Sequence, residues 1–324
     1  MKVLITGTAG FIGAALAEEL LINGFTVSGI DNHSPYYDPQ LKESRVLRLL
    51  KYDAYNHYRK DLLDLDSAIK IFESFRPKIL IHLAAQPGVR YSLEDPASYV
   101  DSNLRAFANV LELSKMFPIE HMIFASSSSV YGGNSNIPYS EDDNVDRPLN
   151  LYAATKKANE LMSYSYSHLY HIPITGLRFF TVYGPWGSPD MAPMLLIKSI
   201  IEGEKISIHN HGNHSRDFTY IDDIVQGILR VIDKPLKRGH QSPPWSIYNL
   251  GSGHPIKLMD FIELLESSVK ITAKKEFIDL QPGEMLETYA NMDQFNKSFG
   301  EITMTDFTSG IQSFVDWYVN FYKV

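Results

Sequence analysis

The segment "KVLITGTAGFIGAALAEELLINGF", residues 2–25, constrains the fold of this chain more than any other. An apolar run of strand length leads straight into Gly7, Gly10 and Gly13, and a helix-length stretch follows. A strand joined to its successor through a helix can pair with it in parallel, which a hairpin connection does not allow. The same alternation continues through the first 180 residues. Strands are predicted at 2–7, 26–31, 57–62, 79–84, 122–127 and 174–180, with helices at about 11–23, 64–75, 97–116 and 152–170. Several of these strands are apolar on both faces, as a sheet covered by helices on two sides requires. Between the second and third strands, residues 32–56 read as a loop with a short helix.

After residue 181 the spacing becomes irregular. "TVYGPWGSPDMAP" is a loop rich in Pro and Gly, and "KPLKRGHQSPPW" (234–245) is a second Pro-bearing surface segment. "RDFTYIDDIVQGILRVI" and "SIYNLGSG" read as elements that return to the first sheet. The expected architecture is therefore α/β: a Rossmann-type, doubly wound parallel sheet with a smaller α/β substrate-binding lobe. Residues 1–180, with returning elements at about 217–252, would form the dinucleotide-binding domain. About 181–216 and 253–324 would form the smaller lobe.

Bulk composition narrows the function classes. The amino terminus imitates a secretory signal, because a lysine precedes an apolar run, but three glycines and the Glu18–Glu19 pair break that run. No stretch reaches the roughly 18 apolar residues of a membrane span, so the reading is a soluble, cytoplasmic protein with no membrane partner. With no cysteine, disulfides, thiolate metal sites and a cysteine nucleophile are excluded. A net charge of −8 leaves no electrostatic footprint for nucleic acid, so an anionic ligand must be held by helix ends and single arginines. "HNHGNH" places His209, His211 and His214 at a spacing that matches no standard metal site; it reads as a solvated loop, with no metal expected.

Three glycines in seven residues also suit a plain strand-to-helix turn. Their value lies in context. Glycines there make a tight turn, let the backbone approach a pyrophosphate and let the helix pack closely, so Gly7, Gly10, Phe11, Ile12 and Gly13 are candidate dinucleotide contacts. Asp31 ends the second strand, 24 residues after Gly7, near the usual distance for an acid that binds ribose hydroxyls, with Asn32 beside it. The sequence continues "DNHSP" with no arginine, which favours NAD over NADP. Asp61 and Leu62 are placed to reach the adenine. Leu83, Ala84 and Ala85 of "LAAQ" supply small residues where a strand end must let a flat cofactor pass, although Ala pairs at strand ends also serve packing alone.

"LYAATKKANEL" carries Tyr152 and Lys156 one helical turn apart and on one face. A tyrosine has a pKa of about 10, and a neighbouring ammonium and a positive nicotinamide ring both favour its phenolate. Such a phenolate can take a proton from an alcohol while hydride leaves the same carbon. The spacing occurs by chance on many helices, but here it lies 25 residues after Ser127 and downstream of a nucleotide-binding turn.

Taken in order, "GTAGFIG", "LAAQ", "SSSSVYG", "YAATK" and "LRFFTVYGPWG" resemble the extended short-chain dehydrogenase/reductase superfamily and, within it, the nucleotide-sugar epimerases. The resemblance runs over essentially the whole chain, with "SRDFTYIDDIV" and "LQPGEMLETYAN" in the second half. "DNHSPYYDPQLK", "LAAQPGVRYS", "TVYGPWG", "NHG" and "FVDWY" are most similar to UDP-glucuronate 4-epimerases.

What the resemblance implies is an isomerase with tightly bound NAD and a UDP-sugar substrate. Tyr152 would remove the C4 hydroxyl proton as NAD takes the C4 hydride; the 4-keto sugar would turn, and hydride would return to its other face. Lys156 would favour the phenolate and hold the nicotinamide ribose. Ser127 would bridge Tyr152 and the C4 oxygen, with Ser126 toward the cofactor and Ser128 toward the sugar. Dehydratases of the superfamily carry an Asp-Glu pair where this chain has Ser128 and Ser129, so water elimination lacks an acid.

For the substrate, Arg216 matches the family's phosphate-binding arginine, a surface ion pair with Asp217 or Asp222 being the plainer alternative. Glu284 matches an acid that contacts the ribose. Arg90 lies beyond the fourth strand, where it could reach the phosphates or the sugar, or pair with Glu94 or Asp95. Thr181 would face the sugar at C5 or C6. Ser188 stands where the glucuronate enzymes generally carry an arginine, which puts the acidic sugar in doubt and keeps open a neutral UDP-hexose 4-epimerase. A UDP-glucuronate decarboxylase, a noncatalytic NAD-binding regulator and a net oxidoreductase are less favoured. Helices 97–116 and 152–170 commonly form a dimer interface in the superfamily, so a homodimer is expected, although Tyr164, Tyr166 and Tyr170 would equally suit an internal core.

Overall fold

The computed structural model describes residues 1–236, 242–279 and 286–324. The first elements are β1 (Lys2–Thr6), α1 (Phe11–Ile22), β2 (Thr26–Asp31), α2 (Pro39–Leu49), β3 (Tyr55–Arg59), α3 (Leu65–Phe75) and β4 (Ile79–His82). Two single helical turns, α4 (Tyr91–Glu94) and α5 (Pro96–Tyr99), lead through a π turn at Val100–Arg105 into α6 (Ala106–Met116). β5 (His121–Ser127), a 3₁₀ turn at Ser128–Tyr131, α7 (Leu151–Tyr170) and β6 (Ile174–Phe179) follow. Next come β7 (Thr181–Tyr183), α8 (Ala192–Glu202), β8 (Lys205–Ile208), β9 (Ser215–Tyr220), α9 (Ile221–Asp233) and β10 (Trp245–Leu250). The chain closes with β11 (Pro255–Lys257), α10 (Leu258–Val269), β12 (Lys274–Phe277), β13 (Glu287–Thr288), α11 (Asp293–Phe299) and α12 (Phe307–Tyr322).

Two compact units result. The first comprises Met1–Gly132, Asn144–Phe179 and Val225–Tyr248; the second comprises Gly133–Asp143, Phe180–Ile224 and Asn249–Val324. In the first unit β1 to β6 pair in parallel in the order β3-β2-β1-β4-β5-β6, and β10 lies beside β6. This is the Rossmann-type sheet predicted from the alternation of strands and helices. Val3, Leu4 and Ile5 of β1 and all of β4 are buried, which explains why these strands are apolar without alternation. Each of the apolar side chains among them contributes about 1.5–3 kcal/mol by leaving water. The strand order reverses direction between β1 and β4, and ligands of such sheets sit outside the carboxyl ends of the strands at that point.

Helix boundaries follow local chemistry. α1 ends at Asn23–Gly24, where Gly24 takes φ +77° and the Phe25 N–H closes onto the Leu20 carbonyl. The predicted helix 97–116 is broken because the Asn103 carbonyl accepts from Asn159 Nδ2 at 2.6 Å. A side chain competing for a helix carbonyl distorts the ladder, and here the result is a π turn. β3 stops at Arg59, short of its expected end at 62. Asp61 Oδ1 accepts the Leu63 N–H at 2.8 Å, an Asx turn that takes Asp61 and Leu62 out of the strand.

In the second unit, β9 pairs with β11 antiparallel and with β13 and β7 in parallel, and β12 pairs with β8. "RDFTY" therefore belongs to a small separate sheet rather than returning to the large one; the return to the first unit starts at Val225, within α9. Asp217 fixes this arrangement. Fully buried, its carboxylate accepts from Thr219, Ser252, and the backbone N–H groups of Ser252, Gly253 and Ala290. "HNHGNH" is less solvated than expected: His211 is exposed and reaches Asp279, whereas His214 is buried. Among the described residues no group of His, Asp and Glu could hold a metal, and no helix is long and apolar enough to cross a membrane.

Candidate active site

The three glycines form a cradle that tolerates no side chain. Gly7 has φ +83°, and a Cβ there would lie 2.7 Å from the Ala84 backbone nitrogen. A Cβ on Gly13 would lie 2.1 Å from the Gly7 carbonyl oxygen, and one on Gly10 3.0 Å from the same atom. Gly10 is the N-cap of α1 and offers no side chain to its first turn, so the N–H groups of Phe11, Ile12 and Gly13 face forward for an anion.

Asp31, at the end of β2, folds back on this turn. One carboxylate oxygen accepts the Ala9 N–H at 3.0 Å and the other accepts the His33 N–H at 2.8 Å. Each oxygen keeps acceptor capacity for a hydroxyl group. Asn32 donates to Asp61 at 2.9 Å, which brings two sequence-predicted residues together across the ends of β2 and β3. Leu62 is buried, its carbonyl held by Asn109. Leu83, Ala84 and Ala85 follow β4 half-buried, with the Ala84 N–H bonded to Thr6 Oγ1. A dinucleotide fits these residues: a glycine cradle, a helix end for the diphosphate and a carboxylate for a diol.

β5 and α7 meet at the other end. Lys156 is buried, and its ammonium donates to the Ala125 carbonyl of β5 at 2.9 Å. Burial lowers its pKa from 10.5 to about 8. Its nitrogen lies 5.9 Å from the centroid of the Tyr152 ring, which packs edge-on against Tyr99. α7 begins cleanly because the Asn150 side chain accepts the Ala153 N–H. Ser127 caps the 3₁₀ turn: its hydroxyl accepts the Ser129 N–H at 3.2 Å and lies 3.1 Å from the Ser129 hydroxyl. Ser126, expected on the cofactor side, is buried and donates its hydroxyl to Glu160 at 2.7 Å. Ser128 is half-buried in the same turn.

Glu160, Arg178 and Tyr131 escaped the sequence reading. Arg178 Nε and Nη2 grip the two Glu160 oxygens at 2.8 and 2.9 Å, and Nη1 donates to the Tyr131 hydroxyl at 3.0 Å. Glu160 pushes the Arg178 pKa up, against the effect of burial. An arginine inside "ITGLRFF" was itself a signal, since a charge in a strand buried on both faces demands a buried partner. Asn103 was missed too; it binds the Gln86 backbone at N–H and carbonyl and the Thr155 hydroxyl, joining the "LAAQ" loop to the tyrosine helix.

The substrate candidates are spread over both units. Arg90, in the first, is exposed, and among the described residues its side chain makes no ion pair with Glu94 or Asp95. In the second, Thr181 opens β7 half-buried. Arg216, on β9, donates to the carbonyls of Ser215 and Leu286 at 2.9 and 3.2 Å. Ser188 donates its hydroxyl to the Asp190 carboxylate. Glu284 lies outside the described residues.

A parallel sheet with this cradle, and a Tyr-x-x-x-Lys helix beside it, defines a dinucleotide-dependent enzyme. The chain belongs to the NAD dependent epimerase/dehydratase family, whose model matches residues 3–251. It uses NAD as cofactor. It is 47% identical to Protein CapI of Staphylococcus aureus over the full length of both chains. It is 42% identical to a probable UDP-glucuronate 4-epimerase of Rhizobium meliloti, covering 100% of this chain and 98% of that one. A solved UDP-glucuronic acid 4-epimerase of Bacillus cereus, in complex with UDP-glucuronic acid and NAD, superimposes with a TM-score of 0.90. That structure is 33% identical and covers 99% of this chain and 100% of its own.

Proposed function

We propose that this chain is a UDP-glucuronate 4-epimerase that converts its substrate to UDP-galacturonate and keeps NAD bound through each turnover. The observation that carries the reading is the Tyr152–Lys156 face, tied to the serine strand through Ala125, in a chain similar over its whole length to UDP-glucuronate 4-epimerases.

Gly7, Gly10, Gly13 and the first turn of α1 hold the cofactor diphosphate, with Asp31 and Asn32 at the adenosine ribose and Asp61 and Leu62 at the adenine. Leu83, Ala84 and Ala85 flank its path, and Lys156 holds the nicotinamide ribose. NAD, when bound, supplies a hydride acceptor and donor at C4 of the sugar. Tyr152 holds the C4 hydroxyl and takes its proton, and the adjacent Lys156 ammonium favours the phenolate. Ser127 orients the C4 oxygen, and Tyr152 returns the proton once the 4-keto sugar has turned. Ser128 and Ser129 offer no acid for water elimination, and a glucuronate, whose C6 is a carboxylate, has no C6 hydroxyl to lose.

Arg216, Arg90 and Glu284 serve the UDP moiety. The 4-keto glucuronate is a β-keto acid, and an epimerase must keep its carboxylate out of line with the carbonyl. Ser188 gives its hydroxyl to Asp190, which supports Thr181 and Ser128 as the donors to that carboxylate. The enzyme acts in the cytoplasm as a homodimer through α6 and α7. On α7 the exposed Leu161, Tyr164 and Leu169 form an apolar strip suited to a second copy, whereas Tyr166 is half-buried against the core and gives its hydroxyl to Glu112.

The test is to incubate the enzyme separately with UDP-glucuronate and UDP-glucose and separate the C4 epimers. Formation of UDP-galacturonate is expected. Turnover of UDP-glucose alone would overturn the uronate reading, and release of a UDP-pentose would overturn epimerisation.

A further inference from the structure

Beyond Asp31, at the edge of the large sheet, a line of hydrogen bonds runs through four side chains. The Tyr55 hydroxyl lies 3.1 Å from His57 Nδ1; His57 Nε2 lies 2.8 Å from His33 Nε2; His33 Nδ1 lies 3.0 Å from Glu43 Oε1. The His33 ring is buried and meets the His57 ring edge-on at 5.0 Å. Gly29 makes room for this line, since a Cβ there would lie 2.4 Å from the Tyr55 hydroxyl.

The carboxylate at one end fixes the first proton of the line. A carboxylate only accepts, so His33 Nδ1 carries a proton toward Glu43. The two facing Nε2 atoms share one proton, so one ring donates to the other, and His57 Nδ1 pairs with the Tyr55 hydroxyl, which can donate or accept. Every group on the line then has a partner, and burial, helped by His33, lowers the His57 pKa to about 4, which keeps the His57 ring neutral at ordinary pH. Asp31, Glu43 and Arg59 are the charged groups around the pair, with Arg59 bonded to Glu43 at 2.9 Å.

The line ends on a strained residue. His33 has φ +53°, the left-handed region that a residue with a side chain rarely adopts. The backbone N–H of the same residue donates to Asp31 Oδ1, which joins the line to that carboxylate. Strain of this kind persists only where the surroundings hold it, and here the ring contacts to Glu43 and His57 act together with the N–H bond to Asp31.

We infer that the His33–His57 pair, closed by Glu43 and Tyr55, is a positioning device that presents the Asp31 carboxylate to the adenosine ribose of NAD. The inference rests on the reading of Asp31 as the ribose-binding acid. Neither histidine touches the reacting atoms; they act through Asp31 on cofactor retention alone.

The experiment measures NAD release from the holoenzyme, with kcat at saturating NAD and KM for the UDP-sugar, in four variants. Asp31→Ala tests the underlying reading and should speed NAD release strongly. His57→Leu should speed release about fivefold to tenfold, the loss of roughly one hydrogen bond, with kcat and KM unchanged. Glu43→Ala, at a half-exposed position that poses little threat to folding, should do the same. His57→Gln keeps one donor and one acceptor and should stay within about twofold of the parent. If Asp31→Ala releases NAD at the parent rate, the ribose reading fails and takes the proposal with it. If Asp31→Ala has its effect but Glu43→Ala has none, or His57→Gln is as impaired as His57→Leu, the positioning role alone is overturned. Equal loss of kcat in the histidine variants would also overturn it, because that is general damage to the fold.

Discussion

The Lys156 ammonium donates to the carbonyl of Ala125 at 2.9 Å, and so ties the tyrosine helix to the strand that carries Ser126 and Ser127. Its pKa of about 8 places its titration within reach of ordinary assays. As pH rises through that value the ammonium beside Tyr152 is lost, so turnover should fall on an alkaline limb centred near pH 8. Lys156→Arg, which stays charged, should move that limb upward from a lower plateau. Stability should move the other way. The folded pKa lies below the ordinary 10.5, so between about pH 8 and 10.5 the unfolded chain binds more protons and unfolding free energy rises with pH. Denaturant midpoints measured across that window should climb, and Lys156→Met should flatten the slope.

Replacing Tyr152 with Phe removes one hydroxyl and leaves the ring that packs against Tyr99. Turnover should drop by about 10²–10⁴, the usual contribution of a positioned acid or base. NAD content, read by absorbance of the purified protein, should stay at the parent value.

The Glu160–Arg178 pair is buried and bidentate, so removing one partner strands the other's charge away from water. Glu160→Gln should lower unfolding free energy by about 3–5 kcal/mol. Glu160→Met with Arg178→Met should recover most of that loss, since the buried Arg178 charge is then gone and the Lys157 ammonium, also paired with Glu160, is partly exposed and can reach water. Thermal and urea unfolding of the single and double variants would measure the difference.

Gly13 and Gly24 should respond differently to alanine. At Gly13 a Cβ would meet the Gly7 carbonyl at 2.1 Å, so the turn must shift, costing about 1–3 kcal/mol and loosening NAD. At Gly24 a Cβ meets nothing within 4 Å, and only the left-handed backbone, φ +77°, resists it. Gly24→Ala should cost about 1 kcal/mol and leave NAD binding unchanged, as unfolding and cofactor titration would report.

Much of the first unit was legible because its signals are local. Alternating apolar runs and helical stretches implied a parallel sheet, and glycines between a strand and a helix marked a phosphate-binding turn. Tyr152 and Lys156 could be placed together because four residues on a helix make one turn. The strip on α7 was legible only in part: periodicity put Tyr164 and Tyr166 in one helix, but not which of them would face outward.

What the sequence determined by itself was the α/β class, the places of the main strands along the chain and the family, since these rest on short local motifs and patterns. Tertiary structure alone decided that β9 leaves the large sheet for β7, β11 and β13, that Ser126 gives its hydroxyl to Glu160, and that His33 and His57 share a hydrogen bond. Each of those depends on a partner 24 or more residues away along the chain or on a competing sheet edge. Buried polar groups must find partners wherever the fold supplies them, and no local pattern names that partner in advance.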